Sequence, residues 1–274
     1  MAGKFIKSFD NIRIYYALKK KYKQSMIFLH GWPLNHTFWK KELRYFQGKG
    51  YSTIAPDLRG HGKSGKPEKL KDYKFNKFAK DIDLIIQKEK VKNSVLIGHS
   101  FGGMITLAYY SLFPEKVKAM VLMDTIYENP LKHIPLIKYL NLTPFTKYVL
   151  KSIIKKEKIK KKNYSYVDFT KFKDHFDFYY WLKGAEVMPL KSNLACLEEM
   201  IEFNQKKVLS KINVPTLIIE GSKDHKTPLK DVTEMAKKIK NSKLEIIKGA
   251  THDTNLRRPQ EVDKIISKFI NSLK

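Results

Sequence analysis

The chain has 274 residues, 42% hydrophobic and 30% charged, with 54 lysines and arginines against 27 acids for a formal net charge of +27. That length suits one α/β domain with an insertion, and a single cysteine, Cys196, excludes an intrachain disulfide and fits a reducing compartment. No uncharged apolar run reaches membrane-spanning length and Met1–Lys7 has no apolar leader core, so a cytoplasmic protein is expected.

In chain order, residues 5–9, 12–17 and 26–29 read as opening strands, with Asp10-Asn11 as the first turn. A strand at Thr53–Pro56 is followed by a glycine-rich loop and a helix near Phe75–Glu89. Val95–Ile97, a helix over 102–112 and the strand Val117–Met123 continue an alternation that predicts a mostly parallel sheet flanked by helices. From Thr125 the alternation stops; it resumes at the strand Pro215–Ile219 and closes with a strand at 244–247 and a helix over 259–272. The expected architecture is therefore an α/β core of residues 1–124 and 208–274, with a helical cap, 125–207, inserted after the strand ending at Asp124.

Chemistry concentrates at Gly98-His99-Ser100-Phe101-Gly102, between an apolar strand and a helix. Gly-x-Ser-x-Gly in that context is a sharp turn that lifts the serine hydroxyl to its tip, and the flanking glycines leave room where side chains would collide. The Phe101 N–H, opening the helix, would face an oxyanion formed beside Ser100. A serine needs a base and an orienting acid. His252 follows the strand at 244–247, and Asp224 follows Pro215–Ile219 in Gly221-Ser222-Lys223-Asp224. Both fall at strand C-terminal ends, where open α/β sheets place ligands. Asp124 competes for the acid's role, but Asp224 sits in the glycine-to-proline loop and is preferred. A second oxyanion donor is the Trp32 N–H in His30-Gly31-Trp32-Pro33.

With these pieces and Asp57-Leu58-Arg59-Gly60-His61-Gly62-Lys63-Ser64, the chain resembles the α/β-hydrolase superfamily, and within it the small serine esterases and cofactor-free haloperoxidase-like hydrolases. The resemblance runs from about residue 25 to the C-terminus and implies the α/β-hydrolase fold, catalysis by Ser100, Asp224 and His252, and an oxyanion hole of the Trp32 and Phe101 N–H groups. It also implies cleavage of carboxylic esters of small to medium, fairly apolar acids through an acyl-enzyme. Serine at position 100 argues against the epoxide hydrolases and haloalkane dehalogenases of this superfamily, which need a carboxylate there. Perhydrolysis, carbon–carbon bond hydrolysis and lactone opening suit the same triad, and a slow-turnover ligand sensor is a different class of reading.

No cofactor is implied. Gly60-His61-Gly62-Lys63-Ser64-Gly65 matches a dinucleotide fingerprint in letters only, because it neither directly follows a strand nor opens a helix. His30 and His61 read as structural, His99 as pointing into the fold and His225 as solvent-facing; His36, His133 and His175 have no carboxylate or cysteine at ligand spacing, so no metal is expected. Cys196 reads as a small buried side chain. Lysines dominate the charge and scatter widely, which suits a solvated surface more than specific nucleic-acid recognition. Lys147–Lys162 is a basic amphipathic stretch; it suits contact with an anionic membrane, but a lid helix is favoured. Phe145, Tyr148, Phe176, Trp181 and Met188 are candidate apolar wall residues from the cap, and a small-molecule ester is the expected partner.

Overall fold

The structure, a computed structural model, describes residues 1–21, 23–133, 143–157, 166–169 and 177–273. Eight strands form one sheet: β1 (Ala2–Lys7), β2 (Arg13–Lys19), β3 (Lys23–Leu29), β4 (Tyr51–Pro56), β5 (Ser94–His99), β6 (Val117–Met123), β7 (Thr216–Gly221) and β8 (Ser242–Ile247). Their order is β1-β2-β4-β3-β5-β6-β7-β8. β1 and β2 run antiparallel to their neighbours, and all pairings from β4 to β8 are parallel.

The parallel strands read as unbroken apolar runs because both faces of the sheet are covered. Alternation sends Ile27, Leu29, Leu96, Leu122 and Ile218 to one face, with the helices α2 (Phe75–Lys88) and α3 (Phe101–Leu112). Met26, Phe28, Val95, Ile97, Val121 and Ile219 line the other face, with α1 (Lys40–Gly48) and the C-terminal helix Pro259–Asn271. The described residues between β6 and β7 contain the helices α4 (Thr143–Lys156), α5 (Asp177–Val187), α6 (Leu190–Glu202) and the short α7 (Lys206–Leu209). After β7 come α8 (Leu229–Lys238), α9 (Thr254–Arg257) and that closing helix, α10.

The first strand is displaced from its expected span. It ends at Lys7 because the Ser8 N–H donates to Ile12 O and the Asn11 N–H to Ser8 O, closing the turn with Asn11 at φ 66°. Phe9 therefore sits exposed in the turn. Two lysine-rich helices, α1 and α8, escaped the sequence reading; each buries a narrow stripe, Leu43 and Phe46 in one, Val232 and Met235 in the other.

A buried ion-pair hub ties the hairpin to the core. Arg59, fully buried, donates from Nε and Nη2 to Asp81 at 2.8 and 2.7 Å and from Nη1 to Asp10 at 2.9 Å. It thereby holds the loop after β4 against α2. On the opposite face Glu42 of α1 is buried near Asp263 of α10. Burial, and then the charge of Asp263, push the Glu42 carboxyl up to about 8, and burial pushes Asp263 up to about 7.

Two outcomes follow. In the unfolded chain Glu42 loses its proton near the ordinary glutamate value, whereas the folded chain keeps it to about pH 8. Unfolding releases a proton across that window, so stability falls as pH rises, by up to about 1.4 kcal/mol per unit from this group. Glu42→Gln flattens the slope between pH 5 and 8 in urea titrations and raises stability at pH 8, while leaving it near wild type at about pH 4. Gly102→Ala drives a Cβ into Leu29 O behind the elbow and costs about 3 kcal/mol or more in the same titration. Gly48→Ala, with nothing within 4 Å, stays within about 0.5 kcal/mol of wild type.

Candidate active site

Five loops at the C-terminal ends of β3, β5, β6, β7 and β8 meet at one edge of the sheet. Ser100 stands between β5 and α3 at φ 50°, ψ −115°, a conformation that costs an L-residue of order 1–3 kcal/mol and persists only where the surroundings enforce it. The enforcement is steric. A Cβ on Gly98 would collide with the Gly102 carbonyl oxygen and one on Gly102 with that of Leu29, so strand and helix approach more closely than any side chain allows. Gly103 is equally constrained, with Thr125 side-chain atoms 2.5–2.6 Å from where its Cβ would lie.

The predicted residues come together. His252 Nε2 lies 3.0 Å from Ser100 Oγ, and His252 Nδ1 lies 2.7 Å from Asp224 Oδ2. Asp224 also accepts from Thr227 Oγ1 at 2.6 Å and from the Lys226 and Thr227 N–H groups at 2.7 and 3.3 Å. Burial alone would raise its carboxyl, but the His252 imidazole and the side-chain hydrogen bonds from Glu220 and Thr227 outweigh burial and hold it well below the usual carboxylate range. Asp224 therefore stays charged against the ring.

Among the described residues Asp124 has no histidine at hydrogen-bond distance; His99 Nε2 is 3.6 Å away. It accepts instead from the Thr254 N–H at 2.9 Å, Thr254 Oγ1 at 2.7 Å and the Gly221 N–H at 3.3 Å. That stitches the ends of β6, β7 and α9 together. His99 points into the fold, as its place in the turn implies. Its Nε2–H donates to His252 O at 2.9 Å, and burial, then the neighbouring His252, lower it to about 3, so the ring is neutral. It anchors the backbone that carries His252.

Gly31 brings the Trp32 backbone beside the serine: a Cβ on Gly31 would lie 3.4 Å from Ser100 Cβ. Phe101 opens α3, where the first N–H groups of a helix have no intrahelical acceptor. The serine and His252 face a cavity of about 360 Å³ walled by Trp32, Met104, Ile126, Leu131, Trp181 and Leu197. Its wall is mostly apolar, and the Trp32 and Trp181 rings meet edge to face at 5.8 Å.

Several sequence expectations need revision or extension. His225 is exposed as expected, and it also lines the cavity. His36, with no carboxylate at ligand spacing in the sequence, has Asp57 Oδ1 2.6 Å from its Nδ1, a contact made by the fold across 21 positions and invisible to local spacing. Phe145 and Tyr148 are 65% and 71% exposed and off the cavity, since α4 turns its opposite side, Leu150 and Ile154, inward against Leu131 and Leu197. Met188 is buried in the core beside Gly60, and of the named wall residues that are described Trp181 lines the cavity. Phe176, His175 and Lys158–Lys162 lie outside the described residues. Within the basic stretch, Lys147 pairs with Glu202 at 2.9 Å and Lys151 with Glu198 at 3.5 Å, both on α6.

Sequence reading passed over Glu220, the penultimate residue of β7. Its carboxylate, with those of Asp124 and Asp224, forms a buried trio whose nearest oxygens all lie within 4.8 Å of one another. Among the described residues this trio is the set of acidic groups close enough to share a cation. The oxygens of Asp124 and Asp224 are already engaged by Thr254, Gly221, His252, Thr227 and Lys226. The signal in the sequence was a lone acid inside an apolar strand. The loop 57–64 is fastened to itself: Asp57 accepts from the Lys63 and His36 N–H groups at 2.7 and 2.8 Å, and Ser64 Oγ donates to Asp57 O at 2.5 Å.

Comparison with known proteins adds the family. The family model described as alpha/beta hydrolase fold matches residues 24–259. The chain is 30% identical to epoxide hydrolase 3 of Xenopus tropicalis over 95% of its own length and 75% of that protein's. It is 29% identical, over 90% of this chain and 91% of the other, to a Synechocystis protein named as a non-heme chloroperoxidase. Among solved structures, an esterase from Exiguobacterium antarcticum superposes with a TM-score of 0.77 at 23% identity, covering 99% of this chain and 100% of that one. Sheet order, elbow and family match agree, and the chain belongs to the α/β-hydrolase fold family.

Proposed function

We propose that the protein is a serine hydrolase that cleaves carboxylic esters of small to medium, fairly apolar acids. The observation that carries this reading is the continuous contact Ser100 Oγ to His252 Nε2 at 3.0 Å and His252 Nδ1 to Asp224 Oδ2 at 2.7 Å, opening on an apolar cavity. His252 takes the Ser100 proton as the oxygen attacks the acyl carbon, and the tetrahedral oxyanion is held by the Trp32 and Phe101 N–H groups, each worth about 3 kcal/mol in the transition state. His252 then gives the proton to the leaving alcohol. Water, activated by the same ring, releases the acid from the acyl-enzyme. Asp224 fixes the tautomer that leaves Nε2 free to accept, and stabilises the imidazolium.

A cavity of about 360 Å³ accommodates a short or medium acyl chain. Residues 125–207 act as the cap: Leu131, Trp181 and Leu197 come from this stretch and form much of the wall. The likeness to an epoxide hydrolase does not redirect the chemistry, because that reaction on this fold uses a carboxylate where this chain has Ser100.

Hydrolysis of p-nitrophenyl esters from acetate to decanoate tests the reading. Activity peaks at short to medium chains and falls at least 10⁴-fold in Ser100→Ala and about as far in Asp224→Asn. Turnover equal in wild type and Ser100→Ala overturns the esterase reading. A slow single turnover with a rise in thermal stability on ligand addition marks the sensor instead.

A further inference from the structure

Glu220 lies under the catalytic loop, at the end of β7, with none of its surface accessible. Its Oε1 is 2.9 Å from Thr227 Oγ1, and Oε2, also buried, meets no N–H or O–H donor among the described residues. The same Thr227 oxygen is 2.6 Å from Asp224 Oδ2. A hydroxyl carries one proton and can donate to only one of these two oxygens. Two ionised carboxylates on either side would leave one contact with no hydrogen between two acceptors. One carboxyl must therefore carry a proton.

The donor census identifies which. Asp224 accepts from His252 Nδ1, Thr227 Oγ1 and the backbone N–H groups of Lys226 and Thr227, as an anion requires. Among the described residues Thr227 Oγ1 is the one O–H or N–H group at hydrogen-bond distance from Glu220; its other close polar neighbours are the carboxyl of Asp224, which it also meets directly, and that of Asp124. An anion so placed would be buried almost without donors. A neutral carboxylic acid satisfies the contact by donating.

We propose that Glu220 is a positioning residue: it stays protonated, donates to Thr227 Oγ1 and so turns the Thr227 hydroxyl onto Asp224 Oδ2. This rests on the triad reading above and extends it two residues deeper. The chain of donors then runs in one sense, from Glu220 to Thr227 to Asp224, where it meets the His252 Nδ1–H arriving from the other side. The distances are 2.9, 2.6 and 2.7 Å. Its effect is to pin the carboxylate against rotation and to lower its basicity toward the ring. Burial first, then the charges of Asp124 and Asp224, push the Glu220 carboxyl upward, in the direction this role needs.

Lys226 and His225 line the cavity onto which His252 opens. Asp124 and Asp224 face Glu220; His99 and Asp224 face His252. Asp253 closes the far side, its Oδ1 3.5 Å from His99 Nε2. These stay constant across the variants below, so shifts in the His252 ring report Glu220 and Thr227.

The test is a carbon-13 NMR titration of the His252 imidazole, with kcat and KM on the preferred ester, in wild type, E220Q, E220L and T227V. A neutral donor predicts that E220L raises the His252 midpoint, because Asp224 loses an indirect donor and attracts the imidazolium more strongly. T227V does the same, and kcat falls about tenfold in each with KM unchanged, the size of one lost hydrogen bond to a charged group. E220Q, neutral and still able to donate through its amide, restores both the midpoint and kcat. A lowered midpoint in E220Q overturns the proposal, since it means a negative charge has been removed. An E220L variant matching wild type in midpoint and kcat also overturns it. Should E220L fail to fold, E220Q and T227V decide the sign alone. The titration needs no turnover, so a failure of the ester reading leaves this test intact, and an active enzyme with a lowered E220Q midpoint sinks only the Glu220 proposal.

Discussion

The close approach of β5 and α3 is the constraint on which the rest of the site depends. A helix that follows a strand with so tight a turn must bring backbone against backbone, and Gly98, Gly102 and Gly103 are the positions where a methyl group would meet carbonyl oxygens or the Thr125 side chain. The strain at Ser100 is sustained by this packing. Once the turn is forced, three consequences arrive together. The hydroxyl leaves the line of the strand, α3 begins with free N–H groups directed at it, and the neighbouring β3 loop must also be glycine, at Gly31, to come within reach. Function here follows from crowding.

The second layer of the site is built by redundancy among neighbouring strand ends. Asp124 ends the neighbouring strand, but its oxygens are engaged by Thr254 and Gly221. That engagement fixes the loops that carry Asp224 and His252. His99 performs a related task from β5 by holding the His252 carbonyl oxygen. Three buried groups, none of which touches the serine hydroxyl, thus decide where the imidazole stands. Such networks are stiff when every member is satisfied and costly when one is not.

How far the sequence disclosed this differs by residue. The elbow, the strand alternation and the order Ser100, Asp224, His252 were legible because they are local: each is a short run whose glycine or apolar pattern has one structural use. The preference for Asp224 over Asp124 was legible from its loop, and the geometry puts Asp224 beside the ring. What escaped was either long-range or low in contrast. The His36–Asp57 contact joins two loops after different strands, and nothing at either position announces the other. Helices α1 and α8 are amphipathic, but each is a short run of 9 or 10 residues that buries only a few apolar side chains among charged ones. Phe145 and Tyr148 were readable as aromatic but not as outward-facing, because only the packing of Leu150 and Ile154 on Leu131 and Leu197 sets the rotation of α4. Glu220 was visible as an anomaly, an acid in an apolar strand, yet its meaning needs Thr227 and Asp224 in three dimensions.

The formal charge of +27 acquires a clearer meaning once burial is known. At least fourteen of the 27 acidic side chains are buried, whereas Arg59 is the one lysine or arginine in the same buried set among the described residues. Acids have been drawn inward to serve as hydrogen-bond acceptors and hub partners, leaving the lysines outside with little to neutralise them. The exterior field is therefore strongly positive and diffuse, screened within about 8 Å at physiological salt. Such a field favours the ionised form of every carboxyl it reaches. Glu220 and Asp124 are shifted the opposite way, toward the neutral acid. Burial comes first in both, and the charge of Asp224 adds to it, with Asp253 acting on Asp124 as well, over a few ångströms where salt does not penetrate. Surface charge and site chemistry are thus decoupled: the lysine coat governs solubility and encounter, and the acids beneath the strand ends govern the imidazole.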